Sequence, residues 1–437
     1  MNQEPETLSE SVEMRQIVNK TLLVAAVGLL AGACAAMAEQ DWTQWRGPNR
    51  DGVIAGEAWP ASLDKSTLTL NWRVELGEGY PGPIVAGERV FIVESVGKQS
   101  EAVRAFDRKS GEELWKHSWA GGMKVPFFAA KNGSWVRSTP ATDGKILVVG
   151  GMQEILVGLD VATGEEKWRI DASEKLQSER PSFGFVCSPL IDGEFVYVQV
   201  GGGVAKLELS TGELVWHAGA GGDGMNDGAF SSPILAEVGG QEQLVVQGRN
   251  ALQGMDPSNG EVSWSQPVKA FRGMNIVTPI RFNDGFFTTA YGGRSKFWAI
   301  EGDGKGFQVN NTWDNKLQGY MSTPVVVGNH AYMHLRNQRA ACVDLESGEI
   351  AWVTDDRFGK YWSLVAQGDR LLALDERGEL ILFEANPKEF RVIGRREIAD
   401  AETWGHLTVV DGQVFIRELT GLAAWDWEGT PNLALNR

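Results

Sequence analysis

Cysteine is almost missing from this chain, with 3 in 437 residues, which excludes a disulfide framework and a CxxC metal site. Beyond Cys34 there are only Cys187 and Cys342, 155 positions apart in apolar, strand-like contexts, the setting of buried, unpaired core thiols. Histidine is scarce too, at 117, 217, 330, 334 and 406. Only His330 and His334 are close, and on an extended strand they would stand about 13 Å apart, so no metal site is expected. Basic residues are in deficit, 41 against 57 acidic, for a net charge of -16; binding to a nucleic-acid backbone needs a basic stripe and is excluded. Gly-x-Ser-x-Gly, Walker A and His-Glu-x-x-His patterns are absent, and with them three common catalytic signatures. No helical period as long as the strand-like runs follows residue 39.

A long charge-free apolar run occurs once, at 21–38, ending in Ala36-Met37-Ala38. That is the form of a secretory signal with an A-x-A cleavage site. The acidic residues Glu4, Glu6, Glu10 and Glu13 contradict a basic leader, whereas a start at Met14 places Arg15 and Lys20 before the run. A cleaved signal at 1–38 is therefore expected, followed by a 39–69 strap and a single domain at 70–437, in the periplasm or otherwise exported. Two alternatives stay open: lipidation of Cys34, which follows a box resembling a lipoprotein signal, and a retained anchor. Without 1–38 the chain keeps 39 basic and 53 acidic residues.

What the sequence has in excess is Trp, 17, and Gly, 53. Both recur in one pattern, an acid, a Gly four residues on and a Trp four after that: Asp107, Gly111, Trp115; Asp160, Gly164, Trp168; Asp256, Gly260, Trp264; and Asp344, Gly348, Trp352. Glu208, Gly212 and Trp216 keep the spacing, and Trp313 ends a looser version. From Trp72 onward these Trp are 39 to 53 residues apart, at or near the length of a four-stranded propeller blade. Upstream of most stands Ser/Thr-Pro followed by β-branched residues and a turn, as at Thr139-Pro140 and Ser188-Pro189. Short β-branched runs joined by Asp-Gly turns make hairpins. Counting units predicts an eight-bladed, all-β propeller of four-stranded antiparallel blades. Six blades end at the Trp from 115 to 352, a seventh spans 361–397, and an eighth, 404–427, is completed by a strand near Leu70–Val74 that closes the ring. Trp72, Trp115, Trp168, Trp216, Trp264, Trp313 and Trp352 are then structural docking residues between blades.

The stretch from Ala105-Phe106-Asp107 to Glu113-Leu114-Trp115 resembles the tryptophan-docking repeat of pyrroloquinoline-quinone-type (PQQ-like) β-propellers, over about 70–427. That superfamily holds quinoprotein dehydrogenases and the non-catalytic BamB-type scaffolds of outer-membrane assembly. The resemblance implies fold, not activity. The closest character is that of the BamB type: an exported, monomeric propeller that binds an envelope protein partner and touches membrane only through a partner or a lipid on Cys34. No cofactor is expected on this reading. The alternatives are a quinoprotein oxidoreductase using PQQ and calcium, to which Arg137, Asn275 and Trp404 would be the cofactor contacts, or a small-ligand sensor. Paired cysteines over a cofactor are missing, and no calcium carboxylates are assignable. The oxygen-rich Gly221 to Gly228 loop lacks the spacing of an EF-hand.

The loops point to a binding face. From each Trp to the next Pro the chain takes 11, 25, 21, 17, 15 and 11 residues. All these connections leave one end of the disc, and long loops on a rigid scaffold carry function. Their candidate partner or ligand residues are Phe128, Asn132, Trp135, Arg137, Arg180, Phe183, Phe185, Arg272, Asn275 and Trp404, mixing aromatic anchors with Arg and Asn. Trp42 and Trp45 are expected to pack a strap against the propeller.

Overall fold

A computed structural model describes Met1 and residues 41–56, 58–219, 228–304 and 306–428. The export segment, Met14, Cys34 and residues 221–227 lie outside the described residues. All described β-structure belongs to the compact unit that begins at Asp41.

That unit is an eight-bladed propeller, each blade a four-stranded antiparallel sheet. Blade 1 runs through Ile84–Ala86, Arg89–Val96, Ser100–Asp107 and Glu113–Ala120. Blades 2 to 7 follow at 141–171, 190–218, 234–267, 280–315, 325–353 and 362–397, each pairing in chain order from the axis outward. Blade 8 takes Thr408–Val410, Gln413–Glu418 and Gly421–Trp427, and its outer strand is Leu68–Glu75 from the other end of the domain. Closure therefore pairs Trp72 with Ala424, and no inter-blade edge is left open. The second and third strands of each blade are buried on both faces, as Val90 to Val93 at 0% exposure illustrate, which explains their continuous apolar runs.

Each outer hairpin carries a β-bulge beside its docking position, as at Ala105/Phe106 opposite Trp115 and Gly158/Leu159 opposite Trp168. A bulge re-aims the side chain next to it, here toward the following blade. The Trp168 indole N–H donates to the Leu209 carbonyl at 2.8 Å, and the Trp72, Trp115, Trp216, Trp313 and Trp352 indoles make equivalent bonds to Arg108, Val161, Pro257, Leu345 and Asn386. The indole face lies on the turn glycine of that next blade. A Cβ on Gly212 would stand 2.7 Å from Trp168, and one on Gly164 2.5 Å from Trp115. These glycines also hold φ of +71°, so two constraints meet on one residue. The acid opening each motif caps the turn: Asp160 Oδ1 accepts from the Ala162 and Thr163 amides.

Trp264 departs from the pattern. Blade 5 has the looser motif, and the Trp264 N–H turns back to Gln243 Oε1 of its own blade at 2.5 Å while its ring stacks on Phe286 of blade 5. Blade 7 has no Trp in the docking register; Gly394 holds that position, opposite Leu382. The strap supplies the missing cover. Leu63 lies over Gly394, Trp59 packs on Trp427 with ring centroids 5.3 Å apart, and the Trp427 N–H donates to the Ser62 carbonyl at 2.8 Å.

The Ser/Thr-Pro motif forms a second girdle, near the axis. Amides of one blade donate to hydroxyls of the next: Gly82 to Thr139, Ser188 to Ser232, Ser232 to Thr278 and Thr278 to Thr323, at 2.9 to 3.3 Å. Thr408 closes the circle by donating to the Pro83 carbonyl at 2.6 Å. Each accepting hydroxyl stands just before a Pro, whose missing N–H leaves that blade's first strand with one donor fewer. Cys187 and Cys342 are buried and unpaired; burial pushes both thiols up to about 12.

A plugged end and an open end

Strand alternation puts the first and third hairpin turns of a blade on one end of the disc, and the middle hairpin loop and the inter-blade connection on the other. The strap closes the first end. Asp41 accepts from the Gly87 amide in a hairpin turn, and Trp42 bridges Val85. The chain then crosses the channel, and Ile54 donates to the Ala366 carbonyl of blade 7. Two fully enclosed arginines span the channel. Arg46 donates to the Pro324 carbonyl of blade 6 at 2.6 Å; Arg50 donates to Pro189 at 2.6 Å and Ser188 at 3.0 Å, both in blade 3. Burial lowers them to about 10 and about 9 respectively. Both still carry charge at neutral pH, held by main-chain carbonyl dipoles rather than by carboxylates. Arg417 is pinned likewise to Val93 and Gly77 across the blade 8–1 seam.

On the loop end the channel stays open as a cavity of about 270 Å³ floored by Trp45 and His406. Its wall has a simple periodicity. One residue before each Pro come Thr139, Ser188, Ser232, Thr278 and Thr323; three before come Tyr80, Arg137, Val186, Phe230, Ile276 and Met321, and all of these line it. The approach to each inner strand is extended, so alternate side chains face the axis. Tyr361, Tyr320, Phe183 and Trp404 complete the wall.

The aromatic rings form a collar around this mouth. Tyr80 contacts Trp135 at 5.4 Å and Trp404 at 5.8 Å, and Trp404 stacks on Tyr361. On the opposite side Phe128, Phe183 and Phe230 form a chain of edge contacts, and Phe271, Tyr291 and Tyr320 another. Arg137 lies over the Tyr80 ring and donates to the Gly133 carbonyl at 3.1 Å, with no carboxylate partner among the described residues. Burial lowers Arg137 and raises Tyr80 to about 12. His406, enclosed between Trp42 and Trp45, is driven down to about 3 by burial and by Arg46, so it is neutral.

The structure sorts the sequence candidates. Arg137, Phe183 and Trp404 border the cavity, Trp135 supports its collar, and Phe128 and Arg272 are exposed on the rim. Asn132 ends a short 3-10 helix, Phe127–Asn132, that carries Phe128. Arg180 is ion-paired with Asp171 at 2.5 Å. Phe185 and Asn275 do not belong to a binding face. They stand four residues before their Pro, on the alternate side of the extended segment, and are 2% and 1% exposed; Asn275 donates to the Arg249 and Val268 carbonyls. As cavity residues, Tyr80, Tyr320, Tyr361 and Phe230 went unrecognised in the sequence, and Trp45 was read only as part of the strap. For Tyr80 and Phe230 the signal was present, in their fixed distance from Pro.

The wall contains no Asp or Glu, and no three-residue His, Cys, Asp and Glu cluster occurs among the described residues. Calcium takes six to eight oxygen ligands, carboxylates prominent among them, so these residues do not fit a calcium-held quinone. No helix among the described residues is long and apolar enough to cross a membrane.

A family model described as outer membrane protein assembly factor BamB matches residues 99–354. Among characterised relatives, the chain is similar to outer membrane protein assembly factor BamB of Yersinia pestis, 22% identical over 92% of this chain and 91% of that one. The Shewanella oneidensis BamB is 19% identical, over 81% and 88%. The crystal structure of BamB from Moraxella catarrhalis aligns over 82% of this chain and 99% of its own with a TM-score of 0.62 at 16% identity, a likeness of fold. With the family match extending over more than half its length, and the eight-bladed ring in place, this chain belongs to the outer membrane protein assembly factor BamB family.

Proposed function

We propose that this protein is an exported, non-catalytic scaffold for outer-membrane protein assembly that works as a monomer without a cofactor, and that the loop end of its propeller docks an envelope protein partner. The observation that carries this reading is the asymmetry of the two ends. One is sealed by the strap, while the other keeps an open, aromatic-walled cavity ringed by the longest connections. Aromatic residues with an Arg among them are the composition of interface anchors. Family membership supports a protein partner, and the 21–38 segment supports export.

The test is photo-crosslinking in intact cells from a reactive residue at Phe128, on the loop end, against one at Lys145, on the hairpin end. A discrete adduct with an envelope protein from position 128 alone is expected. Equal labelling from both positions, or labelling from 145 alone, would overturn the assignment of the docking end.

A further inference from the structure

The disc is electrically polarised, although the chain as a whole is acidic. Within the described loops of the open end there are 16 basic and 9 acidic residues, a net charge of +7. Within the described hairpin turns of the sealed end there are 5 basic and 15 acidic residues, a net charge of -10. Asp223 and Asp227, on the connection between blades 3 and 4, lie outside the described residues and would bring the first figure to +5; Lys305 would bring the second to -9. The sign difference follows from the repeat. An acid is used to cap the outer hairpin turn in blade after blade, as Asp107, Asp160, Asp256 and Asp344 do, so acidity accumulates on that end for structural reasons. No such demand places cations on the other.

The cations of the open end are grouped with exposed aromatics. Phe127 and Phe128 are 91% and 62% exposed and lie between Lys124 and Lys131; Phe271, 43% exposed, lies between Lys269 and Arg272. None of these four cations has a carboxylate partner among the described residues, and the same is true of Arg137 in the cavity wall.

We infer that the docking end recognises an acidic, extended segment of its protein partner, with one aromatic side chain of that segment seated in the axial cavity. This rests on the docking reading above and specifies its chemistry. Charge complementarity selects the occupant. A basic rim attracts Asp and Glu, and the -10 end repels the same segment, so the field orients the approach as well as strengthening it. The cavity selects the anchor: about 270 Å³, walled by Tyr, Trp, Phe and Met, suits a ring whose edges contact other rings. The hydroxyls of Thr139, Ser232, Thr278 and Thr323 already accept amides in the girdle, and Arg137 is the charged contact within the wall.

Fluorescence anisotropy of the purified protein with three labelled short peptides tests this: one of Asp and Glu around a central Trp, one with Lys for the acids, and one with Ala for the Trp. The acidic Trp peptide should bind about tenfold or more tighter than the Lys peptide and about fivefold tighter than the Ala peptide, and should weaken as salt rises. The exposed pair K124E/K131E should weaken it about fivefold, while K145E/K388E on the sealed end should not. Equal affinity for acidic and basic peptides, or equal loss from both charge pairs, overturns the inference. So does binding to vesicles containing phosphatidylglycerol without binding to the acidic peptide, which would assign the rim to an anionic membrane. Should the peptides fail while Phe128 still crosslinks a partner in cells, the docking end stands and this chemistry falls.

Discussion

Arg46 and Pro324 are 278 residues apart in sequence and joined by a 2.6 Å hydrogen bond across the channel. With Arg50 on Ser188 and Pro189, it makes the strap a crossbar between blades 6 and 3 rather than an adhering tail. The carbonyls they bind are buried, so removing the guanidinium leaves an acceptor without a donor, at about 1–3 kcal/mol each. R46A/R50A is expected to lower unfolding free energy by about 3–5 kcal/mol in urea titrations and to expose the strap to amide exchange. An unchanged midpoint with unchanged exchange would show the crossbar to be incidental.

The docking tryptophans give a graded expectation. Trp168 buries its ring on Gly212 and bonds Leu209, both in the next blade, so Trp168→Ala should cost about 3–5 kcal/mol. Trp168→Phe keeps most of the ring and loses the N–H bond, about 1 kcal/mol. For Trp264, whose N–H stays within its blade, the same pair of substitutions should leave contacts across the blade 4–5 seam dependent on ring area alone. Calorimetry on the four variants separates the two contributions; identical losses for Trp168→Phe and Trp168→Ala would contradict the packing argument.

Glu101 supplies a pH-dependent term. Its carboxyl is fully buried beneath the blade 2 loop, accepting from the Met152 amide and the Trp119 indole at 2.9 Å each. Burial outweighs those bonds and raises it from 4.5 to about 7. An acid raised on folding stabilises fully below its unfolded pKa, and that contribution is lost as pH rises from about 4.5 through 7, on the order of 3 kcal/mol in all. Buried His334 and His406, lowered to about 4 and about 3, act in the opposite sense below pH 6.5. The comparison must therefore be with E101Q, which shares the histidines. The stability of the wild type relative to E101Q should fall between pH 4.5 and 8, read by denaturant unfolding at each pH; a constant difference would refute the assignment.

The ring of blades was legible because its determinants are local and repeated. An acid that caps a turn, a Gly that must be bare at φ near +71° and a Trp at a bulge fall within nine residues, and the motif recurs. The closing strand could be read too, since Trp72 sits in the same register as the other docking residues. What the sequence concealed depends on residues hundreds of positions apart. Arg46 and Arg50 look like surface charges beside a Gly-Pro turn until Pro324 and Pro189 are brought around them. Phe185 and Asn275 were placed on the binding face by composition, although alternation before each Pro already separates residues buried within the blades from those that face the axis. The polarity of the disc was hidden for a different reason, because it appears only when loops are sorted by end.

The blade 7–8 seam is where the strap carries the most structural responsibility. Gly394 occupies the docking register without a ring to offer, and the apolar cover comes from Leu63 and Trp59, the latter 6% exposed and packed on Trp427. Arg396 reaches from blade 7 to the Leu63, Asp64 and Leu68 carbonyls, and Arg370 to that of Trp59, so the segment is held along its length. This seam adjoins the joint between the chain's two ends, where Leu68–Glu75 completes blade 8. Trp59→Ala should therefore do more than remove about 3–5 kcal/mol of buried ring. It should loosen closure, raising amide exchange in Gly421–Trp427 and Leu68–Glu75 together while Leu190–Asp192 and Phe195–Val200 of blade 3 stay protected. Trp216→Ala, on the far side of the ring, should show the reverse distribution. If both variants raise exchange evenly around the ring, the propeller opens as one cooperative unit and the seam has no separate role.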